Sequence, residues 1–170
     1  AQAMMRQCAP NIPAGRNPGL VLGAAMAAAA QGGLDKLCIL ADRQIQSLGS
    51  WMEQLVAESS GKQGKGIVPV DLEPRIEPAA LSRDRLFVYL RLTGEQDAYT
   101  RSLASAGHPL ITLDLAQAAD LGGEFYRWQV ATALACALLG VNAFDQPDVQ
   151  DNKNRTVAKI KEYQTTGGLV

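Results

Sequence analysis

The chain has 170 residues, the size of one ordinary domain, and 47% of them are apolar, enough to fill a core. A formal net charge of -1 excludes an electrostatic nucleic-acid binder and a polybasic membrane anchor, and an aromatic content of only 5% points to a core of packed helices and aliphatic strands. Cys8, Cys38 and Cys136 sit among apolar neighbours at wide, irregular spacings, which fits buried thiols in a reducing compartment and neither a disulfide framework nor a metal site.

In chain order, Ala1 to Cys8 reads as a short helix broken by Pro10, Pro13 and Gly15. Asn17-Pro18 reads as a cap followed by proline at the first helical position, opening a helix that runs to Gln31 and stops at Gly32-Gly33. Its apolar stretch, Gly19 to Ala30, is too short to span a membrane. Lys36 to Ala41 is a continuous apolar run of the kind a buried parallel strand shows. Leu48, Met52, Leu55 and Val56 recur at helical spacing within Ile45 to Ser60, and Gly61 ends that helix. Ile67 to Val70 is a small strand. Asp71 to Ser82, with Pro74 and Pro78, is loop or a short helix. Arg85 to Leu92 is the clearest strand, Glu95 to Ala106 an amphipathic helix, and Pro109 to Leu115 a further strand. Asp120 to Gly140 is a long apolar helix, Asn142 to Pro147 a loop, and Asp148 to Tyr163 a last helix, with Gly167 to Val170 frayed.

Strands alternate with helices throughout, so the chain predicts an α/β fold of one domain over residues 1–170: a three-layer α/β/α sandwich with a parallel sheet, flavodoxin-like. Ligands of such folds sit at the carboxyl ends of the strands and at helix ends nearby. On that rule the loops Ser59–Gly66 and Asn142–Asp148 are the expected site.

Two segments carry candidate chemistry. In the first, Gln54 and Glu58 lie four apart on one helix face, and Glu58 falls in the last turn before Gly61. A carboxylate between the negative end of a helix dipole and Lys62 and Lys65 can take up and return a proton. From spacing alone, the commoner pattern is a surface glutamate beside a glycine-capped helix end and a solvated lysine turn. In the second, Asp145 or Asp148 can cap the last helix, with Pro147 in its first turn. Gln146 and Lys153 are seven apart, two helical turns, and line one face. An amide and an ammonium there could hold a sugar hydroxyl, ring oxygen or phosphate; taken alone, a capped helix start with one exposed lysine is the commoner pattern. His108, before Pro109, reads as a turn residue. Trp51, Phe125, Tyr126 and Trp128 read as core or interface positions.

Together the two segments resemble phosphoglucose isomerase (glucose-6-phosphate isomerase). The second sugar-isomerase (SIS) domain of that family has a helix ending in Glu-Ser-x-Gly-Lys, here Glu58-Ser59-Ser60-Gly61-Lys62. It also has a C-terminal Phe-Asp-Gln-x-Gly-Val-Glu-x-x-Lys, here Phe144-Asp145-Gln146-Pro147-Asp148-Val149-Gln150-Asp151-Asn152-Lys153. The resemblance runs from Met4 to Tyr163, and the form of the second segment looks most like the branch fused to transaldolase. It implies Glu58 as the base moving a proton between C1 and C2 through a cis-enediol. It also implies Lys153 as an aid to ring opening, and Gln54 and Gln146 as substrate contacts, Gln146 near the phosphate.

The implied activity interconverts glucose 6-phosphate and fructose 6-phosphate in the cytoplasm, with no metal or cofactor, in a homodimer whose sites are completed across its interface. Asp148 and Gln150 depart from the family's glycine and glutamate, and the Gln-His segment of the animal enzymes has no match here. Nor do the serine/threonine-rich phosphate loop and the Gly-Gly-Arg segment of the first sugar-isomerase domain match residues 1–170. The expectation is therefore a fragment of a longer chain, inactive alone, whose partner is the first sugar-isomerase domain. A non-catalytic sugar-phosphate-binding or interaction module is the alternative.

Overall fold

The computed structural model describes residues 1–168; of the segment expected to fray, Leu169 and Val170 lie outside the described residues. Four short strands, β1 (Lys36–Ala41), β2 (Val68–Val70), β3 (Arg85–Arg91) and β4 (Leu110–Asp114), pair in the order β2-β1-β3-β4, all parallel. The period of two along β1 and β3 decides the layering. Leu37, Ile39, Leu86, Val88 and Leu90 share a core with the helices α2 (Pro18–Gln31), α3 (Leu48–Ser60) and α5 (Leu121–Leu139). Cys38 and Phe87 belong to a smaller cluster with Leu103 of α4 (Asp97–Ser105). Helices therefore cover both faces of the sheet, and the expected three-layer α/β/α architecture is the one observed. The chain moves one way from β1 through α3 to β2, and the other way from β3 through α4 to β4. Right-handed crossovers put two such helices on opposite faces.

The larger core holds the stability. Trp128, Met52, Val56, Ile45 and Val88 are each completely buried, and a large apolar side chain buried in this way contributes about 1.5–3 kcal/mol relative to exposure. Gly23 lets α2 and α5 approach closely, because a Cβ there would run into the Ala131 carbonyl. Cys8, Cys38 and Cys136 are free and buried.

Most element boundaries follow the sequence. Asn17 caps α2 by accepting from the Leu20 amide at 3.1 Å, with Pro18 in the first turn. Two departures have physical causes. The helix expected from Ile45 starts at Leu48, after a separate 3-10 turn at Arg43–Ile45 that buries Ile45. The start of α3 is met by Asp71, whose carboxylate lies against Gly49 and accepts from the Ser50 hydroxyl at 3.3 Å. The last helix, α6 (Pro147–Thr166), begins at Gln146 with no side-chain cap, so neither Asp145 nor Asp148 caps it. It carries no buried residue. A short helix α1 (Gln2–Gln7) packs on α5.

Candidate active site

Helix α3 runs antiparallel to the strands and ends beside the first residues of β1 and β2. In the sheet Val68 pairs with Lys36, and the Val68 amide donates to the Asp35 carbonyl at 2.8 Å. The Ser59–Gly66 turn therefore lies at the amino-terminal edge of the sheet. The turn lies at a helix end, as expected, but its placement at the carboxyl ends of the strands is corrected: a turn that precedes a strand cannot lie at that strand's far end.

The turn is closed by its own residues. Ser60, fully buried, donates to the Val56 carbonyl at 2.7 Å and accepts from the Ile67 amide at 3.0 Å. Lys62 and Lys65 exchange backbone hydrogen bonds around Gln63 and Gly64, both left-handed (φ 57° and 71°), the geometry of a tight two-residue hairpin. Gly66 has φ 147°, and a Cβ there would sit 2.9 Å from the Gly61 Cα, so only glycine lets the chain return to β2.

The two lysines turn to partners other than Glu58. Lys65 Nζ donates to the Leu139 carbonyl at 3.1 Å, capping the end of α5. Lys62 Nζ is buried and donates to the Asn142 carbonyl at 2.6 Å, to the Asp145 carbonyl, and to Asp145 Oδ1 at 3.0 Å. This reach across 80 or more residues ties the turn to the 142–146 loop. It also takes up Asp145, which is why that side chain leaves α6 uncapped.

Between the tied segments lies an open cleft of about 310 Å³ lined by Trp51, Gln54, Leu55, Glu58, Ser59 and Gln146. Gln54 Nε2 donates to Glu58 Oε1 at 3.2 Å, and among the described residues this is the carboxylate's one hydrogen bond. Of the four residues singled out in the sequence, Gln54, Glu58 and Gln146 share the cleft. Lys153 stands exposed on α6 and does not line it. Trp51, expected in core or interface, packs edge-on against Phe125 with ring centroids 4.5 Å apart, yet also forms a wall of the cleft. Its spacing from Gln54, Leu55 and Glu58, along one helix face, is the signal that could have found it. His108 is buried at the entry to β4, with Nε2 at 2.9 Å from the Pro78 carbonyl.

The carboxyl edge of the sheet is built differently. Asp42, completely buried, accepts from the Tyr89 hydroxyl at 2.6 Å and from the amides of Leu92, Thr93 and Gly94 and the Thr93 hydroxyl. Burial pushes its carboxyl up, but those donors prevail and hold it well below the usual carboxylate range. Glu124, 2% exposed, has Arg127 3.3 Å from one oxygen and no partner for the other, and burial pushes its carboxyl up. Among the described residues no group of three or more His, Cys, Asp or Glu could hold a metal ion, and no helix is long and apolar enough to cross a membrane.

The chain matches no protein-family model. It is 30% identical over 156 residues to glucose-6-phosphate isomerase of Rubrobacter xylanophilus, a match covering 68% of this chain and 36% of that one. It is 28% identical over 173 residues to glucose-6-phosphate isomerase of Heliobacterium modesticaldum, covering 76% and 38%. It is 26% identical over 159 residues to the probable glucose-6-phosphate isomerase of Haloarcula marismortui, covering 72% and 36%. The chain thus spans little more than a third of the length of these curated relatives. A crystal structure of a hypothetical protein from Thermus thermophilus superposes with a TM-score of 0.76 at 20% identity, covering 94% of this chain and 48% of that one, a likeness of fold. The relatives' names support a glucose-6-phosphate isomerase-like domain.

Proposed function

We propose that this chain is the second sugar-isomerase (SIS) domain of a glucose-6-phosphate isomerase, and that Glu58 is the base of its active site. The observation that carries the reading is the meeting of Gln54, Glu58 and Gln146, from two distant segments, in one open cleft. Those are the two segments whose sequence resembles the isomerase motifs.

In this reading the Glu58 carboxylate removes the proton from C2 of open-chain glucose 6-phosphate. The bonding pair left behind becomes the C1–C2 double bond of a cis-enediol as O1 gains a proton. Return of the proton to C1, with loss of the O2 proton, gives fructose 6-phosphate. A positioned carboxylate is sufficient for such transfers, so the reaction calls for no cofactor. The amide of Gln54 holds one carboxylate oxygen and leaves the other for the proton. Gln146 contacts the substrate near its phosphate, and Lys153 assists ring opening. The phosphate loop and an arginine to steady the enediolate come from the first sugar-isomerase domain of a longer chain, in a homodimer of the transaldolase-fused kind. Free, buried thiols accord with a cytoplasmic location.

A second reading, a non-catalytic sugar-phosphate-binding or interaction module, is favoured by one observation: Lys153 stands outside the cleft. Assay in heavy water separates the two. The chain carrying its upstream sequence converts fructose 6-phosphate to glucose 6-phosphate with solvent deuterium at C2, and residues 1–170 alone give no turnover above background. An inactive longer chain sinks the enzymatic reading; clear activity from residues 1–170 sinks the claim that a second domain completes the site.

A further inference from the structure

Lys62 is buried and lies beside the cleft without lining it. Its side chain is 4% exposed, and a buried ammonium is stable only when acceptors replace its water. Three acceptors meet its three N–H donors: the Asn142 carbonyl, the Asp145 carbonyl and the Asp145 carboxylate. All three belong to one loop, and the next residue, Gln146, lines the cleft.

Little else holds that loop. Phe144 is 87% exposed, the Asn142 side chain accepts only from the Phe144 amide inside the same loop, and α6 beyond it buries no residue. The other end of the tie is firm. Lys62 is paired with Lys65 through the backbone and follows Ser60, itself pinned to α3 and to Ile67. A continuous line of fixed contacts therefore runs from the Glu58 turn through Lys62 and Asp145 to Gln146.

The geometry points to Lys62 as a positioning residue: by gripping residues 142–145 it sets the separation of Gln146 from Glu58, and with it the width of the cleft offered to a sugar phosphate. This rests on the reading that Glu58 and Gln146 belong to one site.

Hydrogen exchange and kinetics test it separately. In the 170-residue chain, Lys62→Met speeds exchange of amides 142–150 by about tenfold or more, while α3, β1 and β3 exchange as before. Asp145→Ala removes one of the three acceptors, a half-exposed carboxylate, and leaves the Asn142 and Asp145 carbonyls on Lys62, so it folds even if Lys62→Met does not, and it gives a smaller rise in the same segment. In the longer enzyme Lys62→Met raises KM for fructose 6-phosphate about tenfold and changes kcat by less than about threefold, the pattern of lost binding rather than lost chemistry. Unchanged exchange at 142–150 in both variants overturns the proposal. So does acceleration spread evenly over the sheet, or a fall in kcat at constant KM. A longer chain without isomerase activity defeats the functional reading alone, since the exchange result still decides whether Lys62 holds the loop.

Discussion

The two edges of the sheet spend their carboxylates in opposite ways. At the carboxyl edge Asp42 receives five hydrogen bonds from Tyr89, Leu92, Thr93 and Gly94 and is sealed from solvent. At the amino edge Glu58 receives one, from Gln54, and faces an open cleft. An acceptor whose capacity is used by the fold has none left for a substrate, whereas one left mostly unused costs the fold little and remains available. The difference teaches that a carboxylate's place in a favoured binding region says less about its role than the number of donors already bound to it.

That contrast is sharpened first at Glu58. Glu58→Gln in the longer enzyme lowers kcat by roughly a thousandfold or more, because among the described residues no other carboxylate lines the cleft to replace it. The same substitution leaves the unfolding free energy within about 0.5 kcal/mol, as befits an exposed position. Chemical denaturation and a coupled isomerase assay check the pair; substantial retained activity breaks the comparison.

Asp42→Asn acts in the opposite sense. It destabilises by about 1.5–3 kcal/mol through the loss of hydrogen bonds to a charged acceptor, read as a lower denaturation midpoint at unchanged slope. Its pH dependence follows in sign. The folded carboxyl lies below its unfolded value, so the stability it gives is complete above the ordinary carboxylate range, at about pH 5 and higher. That stability is lost as pH falls through and below the range. The acid limb of the stability profile is therefore flatter in Asp42→Asn.

The smallest effect belongs to Glu124, where burial raises the carboxyl and one oxygen lacks a partner. Glu124→Gln changes stability by less than about 1 kcal/mol, since removing a poorly compensated buried charge offsets the weakened contact with Arg127. A raised folded value means that the native state loses stability as pH rises above the unfolded carboxylate range. Stability in the variant thus falls less as pH rises above the ordinary carboxylate range than in the unsubstituted chain.

Much of the fold is legible in the sequence because its determinants are local. The β1 run Lys36–Ala41, the Asn17 cap and the stop at Gly61 depend on neighbours within a few residues, and each falls where the sequence places it. The sharing of a helix face by Gln54 and Glu58 is equally local. What escapes depends on partners far along the chain. The first turn of α3 meets Asp71, 21 residues on from Ser50, at Gly49 and Ser50. Lys62 reads as a solvated charge near Glu58 until Asn142 and Asp145 arrive to bury it. The edge of the sheet on which Glu58 falls is legible too: the Ser59–Gly66 turn precedes the strand read at Ile67 to Val70, observed as β2 (Val68–Val70), and a turn that precedes a strand lies at its amino end.

The solitary character of α6 has a mechanical side. Twenty residues of helix make a stiff rod about 30 Å long, joined to the body through the 142–146 loop. Such a rod is a lever with its fulcrum at the Lys62 clamp. A rotation of about ten degrees there would carry Lys153, about 10 Å along the rod, through about 2 Å, and Tyr163 through about 4 Å. A small adjustment of one salt-bridged loop is thus magnified along the helix, and Lys153 rides on the short, finely geared end of the arm.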